Sequence, residues 1–248
     1  MAAPQQSTFD PQQPDAQPVV DSRQAMLASF SERARNWDQD PKRHALIADV
    51  AKALGKALPL HPDWAVLDYG CGTGALSFAL LPQVASITAA DASAGMVEVT
   101  LAKREALSDP LQKTKLEVLR LDLLEEDPPA RQYDLIVACL VLHHIEDAFQ
   151  ILNAFASLLK DGGYLAIVEW EVPAQPRPST LPHVITRRSP DDWGFELSKT
   201  LQPAKVRTET IHFFERDDGS ISPAILITAG PIRRAKSCGC SGCGGGGS

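Results

Sequence analysis

Apolar positions along the chain change period several times, and the changes mark its elements. Residues 22–36 read as a first helix. A second begins at Asp40-Pro41, an N-cap followed by proline at the first helical position. Leu46, Val50, Leu54 and Leu58 then recur every four residues and give it one apolar face. From residue 65 short apolar runs alternate with helical patterns. "AVLDYG", "SITAAD", "KLEVLRLDLL", "YDLIVACLVL" and "YLAIVEWE" read as strands. "GALSFALLPQV", "AGMVEVTLAKREAL" after a Ser93 cap, and "EDAFQILNAFASLLKDGG" read as helices. In the last of these Ile145, Phe149, Leu152 and Leu159 share a face, and Gly162 serves as the stop. Strands alternating with helices predict a parallel sheet covered on both faces.

The rhythm breaks after residue 171. "VPAQPRPSTLPHVITRRSP" carries five prolines and reads as a long loop of the kind that forms lids or specificity segments. A short helix at about 191–201 precedes "AKVRTETIHFFER" and "PAILITAG", two strands joined by the turn "DDGS". The sheet is therefore expected to finish with an antiparallel hairpin.

Composition narrows the partners. The net charge is −7, from 24 basic and 31 acidic residues, which argues against nucleic acid as the default partner. No apolar run approaches the roughly 18–20 residues of a membrane span. The opening "MAAPQQSTFDPQQPDAQP" has no apolar core of a secretory signal and no arginine, so a cytoplasmic location is expected. Five cysteines, an odd number, do not suggest a disulfide framework. Cys71 and Cys139 read as small apolar fillers.

The chemistry centres on "VLDYGCGTG", residues 66–74. Gly70, Cys71, Gly72, Thr73 and Gly74 form the first strand-to-helix turn of a doubly wound sheet, where ligands bind outside the carboxyl ends of the strands. "GCGTGA" satisfies the dinucleotide pattern G-x-G-x-x-G/A and also the tighter G-x-G-x-G pattern of methyltransferases. Asp68, two residues before the first glycine, suits a cation such as the sulfonium and ammonium of S-adenosylmethionine better than a pyrophosphate. Asp91 ends the second strand, where an acid can accept both ribose hydroxyls of either cofactor. Asp122 ends the third, placed to meet an adenine amino group.

These pieces resemble the core of a class I S-adenosylmethionine-dependent methyltransferase. The resemblance covers residues 64–171 and rests on "VLDYGCGTG", "AADASAGMVEV", "LRLDLLE", "YDLIVACLVLHHIED" and "LLKDGGYLAIVEWE" in family order. It implies an α/β Rossmann-like fold: a doubly wound, mostly parallel seven-stranded sheet whose last strand is antiparallel. It implies that Asp68 and the Gly70–Gly74 loop surround the methionine part of the cofactor and that Asp91 holds the ribose. Ala92 and Met96 would flank the adenine, Asp122 and Leu123 its edge, and Cys139 and Leu140 the floor beneath the ribose and sulfonium. The domain then spans 21–231: a helical lid over 22–60, the cofactor core over 65–171 and a proline-rich loop over 172–190. Residues 1–20 and the Cys/Gly-rich tail 232–248 read as disordered flanks.

In this family the end of the fourth strand lies nearest the transferred methyl group. Here it reads "LHHIED", and His143 or His144 is a candidate base for an acceptor hydroxyl or amine. The bland alternative is a helix cap or a packing residue beneath the cofactor. No Asn-Pro-Pro-aromatic sequence follows, so methylation of DNA bases or glutamine is not favoured, and a small-molecule acceptor is. Trp37 either covers the cofactor or packs the first helices. Arg187 and Arg188 could meet an anionic acceptor or stay exposed. Cys238, Cys240 and Cys243 stand in a C-x-C-x-x-C spacing that could hold a soft metal or metalloid; arsenic methyltransferases use thiols, though placed elsewhere. No metal-ligand set is read inside the domain. The rival functions are a nicotinamide-dependent oxidoreductase and a non-catalytic cofactor-binding protein that regulates a partner or delivers a metal.

Overall fold

A computed structural model describes residues 22–172 and 188–233. The N-terminal residues to 21, with the segment read as disordered, lie outside the described residues. So do residues 173–187 of the proline-rich loop, including His183 and Arg187, and the tail with Cys238, Cys240 and Cys243.

Seven strands form one sheet in the order β3-β2-β1-β4-β5-β7-β6. They are β1 (Ala65–Tyr69), β2 (Ser86–Asp91), β3 (Leu116–Arg120), β4 (Tyr133–Cys139), β5 (Leu159–Trp170), β6 (Val206–Glu215) and β7 (Ile221–Ala229). All neighbours pair in parallel except β7, which is antiparallel to both β5 and β6. The expected Rossmann-like sheet with its antiparallel last strand is what the chain forms. Strand order reverses between β1 and β4, so a crevice opens at the carboxyl ends of these two strands.

The apolar runs of the central strands are buried on both faces, and each face has its own core. On one, α6 (Ala148–Leu158) and α7 (Pro190–Leu201) bury Ile151, Phe155, Trp193 and Leu197 against Leu67, Ile136 and Ile225. On the other, α2 (Pro41–Ala57) and α3 (Ala75–Leu80) bury Leu46, Val50, Leu54 and Leu80 against Val66, Leu135 and Ala166. At roughly 1.5–3 kcal/mol per fully buried large aliphatic or aromatic side chain, these two layers hold the frame on which the loops are built. The Asp40 cap is present: its carboxylate accepts the Lys42 N–H at 2.9 Å. The face Leu46, Val50, Leu54, Leu58 is buried as the four-residue spacing predicts.

Four local readings change. A short helix, α5 (Pro110–Lys115), precedes β3, capped by Asp109 with proline at its start. β3 itself stops at Arg120, so Asp122 lies in the turn beyond the strand, where its own carboxylate accepts the Leu124 N–H. β4 stops at Cys139 rather than running on to Leu142. Leu140 adopts φ 56°, and a 3-10 turn follows over Leu142–His144. Finally, α6 begins after its Asp147 cap and gives way at Leu159 directly to β5, so Gly162 belongs to the strand rather than ending the helix. With that start the buried stripe is Ile151, Leu152, Phe155 and Leu158, while Phe149 is 42% exposed.

The N-terminal segment crosses the crevice. Helix α1 (Ser22–Arg33) continues through a 3-10 turn, Ala34–Gln39, into α2. One end is tied by an ion pair of Arg23 with Asp122 and by the 3.0 Å bond from Arg23 to Glu125. The other is tied by Ser31, whose hydroxyl lies 2.9 Å from the Ser93 hydroxyl and accepts the Gly95 N–H. Helix α4 (Ala94–Glu105) is the support beneath it.

Candidate active site

One cavity of about 390 Å³ lies under this segment, at the carboxyl ends of β1, β2, β4 and β5. The loop after β1 forms part of its wall. Its start is pinned by the Gly70 and Cys71 N–H groups, which both donate to the Ala90 carbonyl at 2.8 and 3.0 Å. Gly70 has φ +71°, and a Cβ there would come within 2.3 Å of Val141. A side chain at Gly72, φ +56°, would meet no protein atom within 4 Å, so this peptide opens to the cavity. The tight glycine spacing thus serves the chain's own packing at Gly70 and open access at Gly72.

The acids take distinct positions around that loop. Asp91 holds it from below: one carboxylate oxygen accepts the Gly72 N–H and the other the Ser93 N–H, both at 2.8 Å. Asp68 is 1% exposed and accepts the Ser77 hydroxyl at 2.6 Å. Burial raises the Asp68 carboxyl to about 6, with Asp91 adding to it and the Ser77 bond opposing it. Burial raises Asp91 to about 6 as well, with the two backbone N–H bonds opposing. Two neighbouring carboxyls held near neutrality are ready to be drawn into the charged form by a cation. Burial, then Asp68 and Asp91, push the Cys71 thiol up; burial, then Asp68 and Glu169, push up Cys139. Both therefore stay protonated near neutral pH and are poor nucleophiles.

Arginines and aromatic rings line the rest. The Arg43 guanidinium lies 3.9 Å from the Trp37 ring centre, and Arg33 lies 5.5 Å from the same ring. Burial lowers the Arg43 pKa; its ion pair with Asp40 opposes this and the nearby Arg33 charge adds to it. Asp38 ties the segment to the glycine loop, accepting the Thr73 hydroxyl at 2.6 Å and pairing with Lys103 at 2.5 Å.

Opposite stands a buried pair that the sequence reading did not contain. His143 Nδ1 lies 2.6 Å from Glu169 Oε2, with the two side chains 11% and 4% exposed. The other Glu169 oxygen accepts the Leu142 N–H at 2.8 Å and the His143 N–H at 3.2 Å. These bonds turn the chain after β4 and explain why that strand ends early. The His144 ring lies 4.0 Å from His143 and 5.1 Å from Phe30 of α1. The signal for Glu169 was present in the sequence as one acid inside the apolar run "YLAIVEWE".

Of the residues read from the sequence, Asp68, Gly70, Cys71, Gly72, Thr73, Asp91, Ala92, Met96, Cys139, Leu140, His143, His144 and Trp37 line this cavity. Gly74, Asp122 and Leu123 do not. Gly74 packs toward Thr100 and Phe78, Asp122 pairs with Arg23, and Leu123 is buried in the α6 core. Among the described residues no three His, Cys, Asp or Glu side chains form a metal-binding group, and no helix is long and apolar enough to cross a membrane.

Residues 67–165 match the family model of the methyltransferase domain. The chain is 34% identical over 150 residues to a ubiquinone biosynthesis O-methyltransferase of Xylella fastidiosa, covering 58% of each chain. It is 33% identical over 107 residues to an uncharacterized methyltransferase of Schizosaccharomyces pombe, covering 42% of this chain and 38% of that one. The chain thus spans little more than half the length of these relatives, or less. The magnesium protoporphyrin IX methyltransferase of Synechocystis, solved with bound S-adenosylmethionine, shares the fold at TM-score 0.60 and 18% identity, over 88% of this chain and all of that one. The matched residues 67–165 include the glycine loop, both raised aspartates and His143.

Proposed function

We propose that this protein transfers a methyl group from S-adenosylmethionine to a small-molecule acceptor, with His143 as the base. The observation that carries the reading is the buried His143–Glu169 pair lining the same cavity as Asp91 and the glycine loop. The residues fit that cofactor. Asp68 and Asp91 suit its cationic groups, and Asp91 retains lone pairs for the ribose hydroxyls beside its two backbone bonds. Gly72 leaves room for close backbone approach, and Ala92 and Met96 supply an apolar wall for the adenine. Arg33 and Arg43, two cations close enough to disfavour one another, suit the cofactor's carboxylate. The Asp122 carboxylate faces Arg23, so its contact with an adenine amino group would require that ion pair to open.

When bound, S-adenosylmethionine supplies an electrophilic methyl group. The chain supplies the rest. Glu169, which also accepts two backbone N–H groups, accepts the Nδ1–H of His143 and leaves Nε2 as the basic nitrogen. Nε2 takes the proton of an acceptor hydroxyl or amine, and Glu169 stabilises the imidazolium that forms, an arrangement familiar from Asp–His pairs in hydrolases. Trp37, Phe30 and α1 cover the cavity and limit water. An oxidoreductase reading is less well supported, because a pyrophosphate at the glycine loop would face Asp68 and Asp91. Calorimetric titration with S-adenosylhomocysteine and with NAD tests this choice: binding of the first alone is expected, and binding of NAD alone would overturn the proposal.

A further inference from the structure

Arg216 stands at the end of β6, beside the hairpin turn. Its Nε donates to the Ser222 hydroxyl at 2.6 Å, and its guanidinium lies 5.5 Å from the ring centre of Trp170. The Trp170 ring meets Phe214 edge-on at 5.4 Å. All three residues line the cavity. Arg216 is thus positioned by two neighbours, yet among the described residues it has no carboxylate partner. The acids next to it in sequence turn elsewhere: Asp217 accepts from Lys42 at 3.3 Å, and Asp218 from the Ser220 hydroxyl at 2.5 Å.

The acids that line the cavity do not neutralise Arg216 either. Asp38 is engaged by Lys103 and Thr73, Asp68 by Ser77, Asp91 by the loop N–H groups and Glu169 by His143. In a chain with net charge −7, an ordered guanidinium lining this cavity thus has no counter-ion among the described residues. An arginine held over a ring, with its outer nitrogens unused, matches a planar or tetrahedral anion. The flat apolar surface of Trp170 and Phe214 beside it matches an aromatic body.

We propose that the methyl acceptor is an aromatic organic acid, with a carboxylate or phosphate at Arg216 and its ring against Trp170 and Phe214. This rests on the methyltransferase reading above. Consecutive residues of β5 would then organise the two ends of the acceptor. Glu169 orients the base on one face of the sheet end, and Trp170 forms the ring platform on the other.

The test uses the protein saturated with S-adenosylhomocysteine and three probes: benzoate, phenyl phosphate and uncharged methyl benzoate. Calorimetry should show at least one anion binding about tenfold tighter or more than the ester, as a charge-assisted pair requires. The tighter anion identifies the acceptor's group. In Arg216→Gln, whose amide can still donate to Ser222, the preference should fall below about threefold while S-adenosylhomocysteine affinity is unchanged. Equal binding of ester and anions to the wild type overturns the proposal, and so does an undiminished preference in the folded variant. The wild-type comparison stands even if the variant fails to fold. Loss of S-adenosylhomocysteine binding in the wild type would instead overturn the underlying cofactor reading, so the two failures are distinct.

Discussion

The Glu169 carboxylate bridges the His143 ring at 2.6 Å and the backbone of the turn that carries that ring. One acid therefore fixes both where the histidine sits and which of its nitrogens bears the proton. Glu169→Gln preserves the shape but presents an amide to Nδ1 and favours the wrong tautomer. A fall in kcat of about 100-fold or more is expected, with cofactor affinity nearly unchanged. Steady-state rates beside S-adenosylhomocysteine titration check it; equal losses in both would make the pair a wall of the cofactor site.

Asp91 is expected to act on the loop and the cofactor together. Asp91→Ala removes an acceptor from the Gly72 and Ser93 N–H groups and from the ribose. At about 1.5–3 kcal/mol for each charged hydrogen bond lost, cofactor affinity should fall tenfold or more. The melting temperature should also drop, because two loop donors lose their partner. Unchanged affinity in a folded variant would show that the ribose does not rest on this residue.

The raised aspartates make cofactor binding depend on pH. Their folded pKa values of about 6 lie above the ordinary 3.8, so the ligand-free folded state binds protons that the unfolded chain releases. Their contribution to ligand-free stability therefore declines as pH rises from about 4 to 6. A cationic ligand acts in the opposite direction, favouring the ionised carboxyls. S-adenosylmethionine affinity should rise between pH 5 and 7, by up to about tenfold per pH unit for each group at the steepest point. Calorimetry across that range should also register proton release; a flat profile would mean that neither acid senses the ligand's charge.

The covering segment is anchored through Arg23. Arg23→Gln leaves Asp122 buried without its cation and should lower stability by about 1–2 kcal/mol, less than the roughly 3–5 for breaking a fully buried pair, because this arginine is partly exposed. Amide exchange in α1 should quicken more than in the central strands. Equal quickening throughout would show that α1 opens only with the whole domain.

Much of this was legible in the sequence because the strands are buried on both faces and read as continuous apolar runs. The caps at Asp40 and Ser93 and the hairpin after β6 announce themselves by residue type. What escaped depends on contacts between distant residues. The end of β4 is set by Glu169, 27 residues downstream of Leu142, and no local pattern encodes that bond. Asp122 reads as a site acid from its place in the chain, but its ion pair with Arg23, 99 residues earlier, has no local signal. The cavity's arginines come from α1, α2, the residues just before α7 and the β6–β7 hairpin, and only the fold brings them together.

The central claim is tested most directly by following a labelled methyl group. The wild-type protein, incubated with methyl-labelled S-adenosylmethionine and a metabolite extract, should move label into an organic acid product. His143→Gln, which keeps cofactor affinity, should slow that transfer by about 100-fold or more. Transfer at the wild-type rate by His143→Gln would contradict the assignment of the base. Cofactor binding with no label leaving S-adenosylmethionine, across extracts rich in aromatic acids, would contradict the account as a whole.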